Sequence, residues 1–254
     1  MNTMNHIEEQ WRMALERRGR QARPLDLFFR DDDVDEDEPS LRECLRRFVR
    51  GETPVNLGVI PKRLTREAAA LLRRSVREAP SLIELNQHGW EHINHEEVGK
   101  KCEFGPGRAF DLQHADIAAG WARMDAAFGS RWSPVFIPPW NRCTFETGRA
   151  LDQLGFLALS RDHGQPPMPG LRLRELPITL DLYRWRGGVA PRPIEEFSGE
   201  LIQQIDELDR IGIMLHHKVM DEAAFALVDA LLRAFRSSPI ARAHTFQSLL
   251  TLTA

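Results

Sequence analysis

Three of the chain's nine histidines, His88, His92 and His95, fall within eight positions of "NQHGWEHINHEE", directly after the short apolar run "LIEL". The four-residue spacing of His88 and His92 puts both imidazoles on one side of a helical turn, where two nitrogens can reach one ion, and His95 is an alternate. A catalytic site of the zinc type needs a third protein ligand and a position open to water. The acidic stretch "FRDDDV" offers Asp31, Asp32 and Asp33 for that purpose. Carboxylates packed this closely repel one another unless a cation or a proton intervenes. Two more polar clusters accompany them: "PPWNR", with Trp140 and Arg142, and "LHHK", with His216 and His217. The expected chemistry is hydrolysis by water on a divalent metal. Each cluster also has a plain structural reading: a solvated acidic loop, a rigid turn around a core tryptophan, a core histidine beside an exposed one. Asp35 to Glu38 fit the plain reading better, as helix-start and surface charges.

The elements that must position these groups are short apolar runs alternating with helical stretches. Strands are predicted at "LDLFF" (25–29), "VNLGVI" (55–60), "LIEL" (82–85), "PVFI" (134–137), "FLALS" (156–160), "ELPIT" (175–179) and "GIML" (212–215), with a weak one in "ARAHTF" (241–246). Between them, "SLRECLRRFVR", "TREAAALLRRSVREA", "DLQHADIAAGWARMDAAFG", "TFETGRALDQLG", "IEEFSGELIQQIDELDRIG" and "DEAAFALVDALLRAF" carry helical spacing. Ser40, Thr65, Thr144 and Asp221 are the predicted N-caps. This alternation predicts an α/β fold, a distorted (β/α) barrel of about seven parallel strands with outer helices. The polar clusters follow the first, third, fourth, fifth and seventh strands, so they share the face on which strand-end loops converge.

At 254 residues with a net charge of −3, the chain gives no electrostatic case for nucleic acid. Three cysteines without a C-x-x-C suggest neither a disulfide framework nor a thiolate zinc site. The first 24 residues read as an N-terminal helical extension with Ile7, Trp11, Met13 and Leu15 as its apolar face, followed by a single barrel domain over 25–254. No apolar run has secretory or membrane-span length, which makes a cytoplasmic setting the expectation. "DDDVD" also contains D-D-x-x-D, which in prenyl-diphosphate chemistry holds magnesium. That chemistry belongs on a helix of an all-α fold, whereas a strand precedes these aspartates. G-x-S-x-G, H-E-x-x-H, P-loop and G-x-G-x-x-G signatures are absent.

Taken in order, "FRDDDV", "HGWEH", "IPPWN" and "MLHH" resemble the four motifs of the polysaccharide deacetylases, the carbohydrate esterases built on the NodB homology domain. The resemblance runs from about Leu25 to the final helices. It implies a metal held by Asp33, His88 and His92, a general base at Asp32 and a general acid at His216. Asp31/Asp32 is the alternative register, and His217 stands where the family often has aspartate. Neutral imidazole and carboxylate suit Zn²⁺, with Co²⁺, Ni²⁺ or Fe²⁺ as other occupants, and the resemblance implies an N-acetylated sugar or glycan as substrate. Trp140 would stack on a sugar or wall the acetyl pocket. Three positions depart from the motifs: Ile137 replaces the arginine before the prolines, Gly89 replaces a Ser/Thr, and Val34 replaces a glycine. Arg142 is a candidate to reach the space of the missing arginine. The departures leave a second expectation, a barrel that binds metal or glycan and has lost turnover.

Overall fold

β1 (Leu25–Val34) runs through the middle of the sheet with β2 (Val55–Val59), β3 (Ile83–His88), β4 (Val135–Ile137), β5 (Ala158–Leu159) and β6 (Arg174–Glu175) on one side. These pairings are all parallel. The computed structural model describes residues 3–252 apart from Arg186. On the other side of β1 lies β10 (Arg210–Leu215), which pairs in parallel with β7 (Leu180–Asp181). β6 and β7 belong to one continuous stretch. Its first half bonds β5, as in Leu176 N–H to Leu159 O at 2.9 Å, and its second half bonds β10, as in Thr179 N–H to Gly212 O at 2.9 Å. A single bent segment therefore joins the two ends of the curled sheet, giving seven strand positions and the predicted distorted barrel. β8 (Tyr183–Arg184) and β9 (Ala190–Pro191) form a small antiparallel hairpin beyond β7.

The helices α1 (Thr3–Arg20), α2 (Pro39–Arg50), α3 (Arg66–Glu78), α4 (Phe110–Phe128), α5 (Phe145–Leu154), α6 (Ile194–Glu207) and α7 (Glu222–Arg236) alternate with the strands as the spacing predicts. Thr65, Thr144 and Asp221 cap their helices, each accepting a main-chain N–H. Ser40 does not. Pro39 is tolerated at the first turn because no N–H is needed there, which moves the N-cap back to Glu38. On α1, Ile7, Trp11, Ala14 and Leu15 are buried while Met13 faces out, so the apolar stripe passes through Ala14. β11 (Ala241–Ala243) is shorter than the expected strand, because Thr245 caps α8 (Phe246–Thr251) immediately afterwards. Among the described residues no helix is long and apolar enough to cross a membrane.

The period of two divides β1 between two environments. Phe29 packs on Phe48 and Phe235 of the outer helices, whereas Phe28 packs on Phe246 of α8 inside the barrel. The inner cluster of Phe28, Val135, Ile137, Ala158, Leu176, Ile178, Met214, Phe246 and Leu249 fills the barrel's lower part. Polar side chains take over above it, on the face where the strands end.

Candidate active site

Arg30 and Asp32 continue the inward row of β1, while Asp31 continues the outward row. Simple alternation would send Asp33 outward as well. The β1–β2 register shifts between Asp31 and Val34, and Asp33 adopts φ 67. This bulge turns its carboxylate back toward the barrel mouth. Asp33 Oδ1 then lies 3.3 Å from His88 Nε2 and 3.2 Å from His92 Nε2. The ligand-capable atoms of the three residues all lie within 4.8 Å of one another.

His88 is the last residue of β3 and points inward. Its Nδ1 is 3.1 Å from Ile137 O, and a carbonyl only accepts, so in its neutral form the ring donates from Nδ1 and turns the Nε2 lone pair to Asp33. His92 arrives by a different route from the expected helical turn. Gly89 at φ 58 and His92 at φ 59 fold the chain sharply, and the two rings meet at 5.2 Å. His95 is exposed and outside the group. Asp33 Oδ1 is buried with no hydrogen-bond partner among the described residues, facing two imidazole nitrogens. One carboxylate oxygen and two such nitrogens fit a divalent cation of the zinc type. Burial pushes the Asp33 carboxyl up, but His88, His92 and His216 outweigh it and hold it well below the ordinary range. Burial disfavours a charged His88, yet Asp32 and Asp33 prevail and raise its pKa. Burial and the neighbouring His88 push His92 down to about 4.

Asp32 is buried beside this group. Its Oδ2 accepts from Arg30 Nη2 at 2.8 Å, and its Oδ1 has no partner among the described residues. Arg30 also donates to Ser160 O and Oγ at 3.0 Å and to Asn141 Oδ1 at 2.5 Å. Gly58 makes room for the free oxygen, since a Cβ there would stand 3.0 Å from Asp32 Oδ1. Trp140 lies across the mouth, with its ring 4.4 Å from that of His92. Of the six non-glycine residues with positive φ among the described residues, Asp33, His92, Trp140 and Asn141 all gather here. Conformations of this kind cost about 1–3 kcal/mol each and concentrate at functional sites.

The inward row of β10 runs Gly212, Met214 and, just past the strand's end, His216, and the outward row leads to His217. Strand parity thus sends His216 to the mouth and His217 to the helix side, where Asp31 receives it. His216 Nδ1 is buried and unpartnered among the described residues, and the ring sits 4.5 Å from that of Trp185. Trp185 Nε1 donates to Asp181 Oδ2 at 2.7 Å, and Tyr183 N–H donates to Asp181 Oδ1 at 2.9 Å. Burial pushes the Asp181 carboxyl up, with His216 pulling the other way.

No family model matches the chain, and no curated protein does. Solved structures do. A protein from Mycobacterium smegmatis described as a polysaccharide deacetylase superposes with a TM-score of 0.67 at 14% identity, over 91% of this chain and 94% of the other. The fold is that of the polysaccharide deacetylases. A family 4 acetyl xylan esterase from Clostridium thermocellum in complex with a cobalt ion matches at TM-score 0.61 and 17% identity, over 89% and 90% of the two chains. A family 4 pseudoenzyme from Bacillus anthracis matches at 0.57 and 11%, over 90% of this chain and 66% of the other.

Within the polysaccharide deacetylase fold, two expectations need correcting, one from the motifs and one from the plain reading of the acidic run. Arg142 does not take the place left by Ile137, because its Nη1 donates to Lys101 O at 3.0 Å. An arginine reaches Asp32 from β1 itself, as Arg30. Asp35 is no surface charge either: it is buried and paired with Arg63 at 2.8 Å and with Lys218. Sequence reasoning missed Arg30, Asn141 and Asp181. The signal for Arg30 was available, since a charge two positions before Asp32 in a buried strand must share its face.

Proposed function

We propose that this chain is a metal-dependent hydrolase that removes acyl groups, N-acetyl above all, from a carbohydrate. The observation that carries this reading is the convergence of Asp33, His88 and His92 beside a buried oxygen of Asp32 that has no partner among the described residues. Those three residues would hold the ion, with zinc the best fit and cobalt, nickel or iron suited to the same donors. When bound, such an ion lowers the pKa of water and polarises the acyl carbonyl. Arg30 occupies one oxygen of Asp32 and leaves the other free to take the attacking water's proton. His216, entering from the neighbouring strand, gives a proton to the departing nitrogen, without which an amine leaves poorly. Trp140 and Trp185 wall the mouth with aromatic faces suited to a sugar ring.

A second reading, a barrel of the same fold that binds metal or glycan without turnover, draws on Ile137 at the motif arginine. The pairing of Arg30 with Asp32 weighs against it. Metal analysis of the purified protein and an assay for acetate released from N-acetylated sugars separate the two. The hydrolase reading expects bound ion and acetate, both lost in His88→Ala/His92→Ala. A variant retaining full metal content defeats the ligand assignment, and bound ion with no acetate from any substrate favours the second reading.

A further inference from the structure

The turn that carries His92 wraps around one buried carboxylate. Glu103 is fully buried, and its Oε1 accepts from Glu91 N–H at 2.7 Å and His92 N–H at 3.2 Å, while Oε2 accepts from Trp90 N–H at 3.3 Å. Three successive main-chain donors closing on one anion form a nest, and bonds to a charged acceptor are about twice as strong as neutral ones. The carboxylate fills the space that Gly89 leaves open. A Cβ at Gly89 would stand 2.2 Å from Glu103 Oε2 and 2.6 Å from the Pro139 ring. Pro139 in turn precedes Trp140, which packs on His92. Glu103 itself rests on a firm platform, because Phe104 O accepts from Thr144 N–H at 3.2 Å and from Thr147 Oγ1 at 3.2 Å.

We infer that Glu103 is a positioning residue for the metal centre: its buried carboxylate holds the 90–92 turn so that His92 Nε2 meets Asp33. The inference rests on the proposed metal function, and its reasoning is energetic. The left-handed backbone at His92 costs about 1–3 kcal/mol, and the three N–H groups of a half-buried turn would each lose a partner without the carboxylate. Gly89, where the resemblance has a hydroxyl residue, is the small residue that admits the carboxylate. Glu103 lies outside the Asp33, His88 and His92 group and acts through the main chain of His92.

The test compares Glu103→Gln, which keeps the shape but points an amide at N–H donors, with Glu84→Gln. Glu84 is another buried carboxylate, accepting Gln247 N–H at 2.9 Å at the far end of the barrel. Three quantities are read for each: cobalt and zinc dissociation constants by chelator competition, the visible spectrum of the cobalt form, and hydrogen exchange of the 90–92 amides. Glu103→Gln is expected to weaken ion binding about tenfold to a hundredfold, alter the cobalt spectrum and speed exchange at 90–92. Glu84→Gln should leave all three unchanged even if it lowers Tm. Wild-type ion affinity and spectrum in Glu103→Gln overturn the inference. If the wild-type protein binds no ion, the metal reading falls by itself. The exchange rates then still decide whether Glu103 holds the turn, and unchanged rates overturn that too.

Discussion

Asp31 and His217 are joined twice: His217 N–H reaches Asp31 Oδ1 at 2.8 Å, and Nδ1 lies 2.7 Å from Oδ2, with neither side chain exposed. Asp31 is the outward neighbour of Asp32, and His217 is the outward neighbour of His216. The pair therefore ties the strand bearing the candidate base to the turn bearing the candidate acid, from behind the sheet.

Removing this tie has a pH signature. Burial disfavours a charged His217, but Asp31 outweighs it and raises the pKa in the fold. A raised folded value contributes stability that is complete below the unfolded value, about 6.5, and is lost as pH climbs through the folded one. Asp31→Asn is expected to cost about 3 kcal/mol at pH 6, and less as pH rises. Urea unfolding from pH 6 to 9 measures it, and a cost that does not vary with pH would mean the pair is uncharged.

Arg30→Met should slow turnover by about a hundredfold, the range of a mispositioned base, with metal content unchanged. Arg30→Lys should recover little, because the guanidinium serves Asp32, Asn141 and Ser160 through separate N–H groups. Steady-state kinetics beside metal analysis provides the check, and wild-type turnover in Arg30→Met would remove Arg30 from the mechanism.

Gly58→Ala tests the space at the free oxygen of Asp32. The new Cβ would press on Asp32 Oδ1 at 3.0 Å and on His88 Cβ at 3.3 Å. Small displacements at a reacting centre are costly, so activity is expected to drop about tenfold or more, with the protein still folded by circular dichroism.

Stripping the ion should lower stability, by about 2.7 kcal/mol relative to protein at a hundred times the dissociation constant. His92, pushed to about 4 by burial and His88, is already neutral at pH 6, whereas His88 is raised. Binding at pH 6 should thus release about one proton, from His88. Calorimetry in buffers of different ionisation enthalpy counts it, and a release of two would contradict the assigned asymmetry.

Much of this was legible in the chain. Apolar runs and helical spacing are local signals, and they located six barrel strands and the helices between them; the seventh, expected at 175–179, is the bend between the short strands β6 and β7. The placing of "HGWEH", "PPW" and "HH" at strand ends followed from the same pattern, whereas "DDD" lies within β1, which runs on to Val34 instead of ending at Phe29. The failures were at punctuation and at distance: Ser40 lost its cap to a proline's freedom, and Arg142 bonded to the nearby Lys101 carbonyl.

By itself, then, the sequence determined which strands exist and which polar residues crowd their C-terminal ends, because periodicity and turn chemistry act between neighbours. Only the tertiary structure decided the division of labour among three adjacent aspartates: Asp31 to His217, Asp32 to Arg30, Asp33 to His88 and His92. Strand alternation separates the first two, and a bulge reverses it for the third. Partners such as Arg30 and Asn141, or Asp31 and His217, lie more than a hundred residues apart, so they meet only when the sheet curls and its bent closing strand joins β5 to β10.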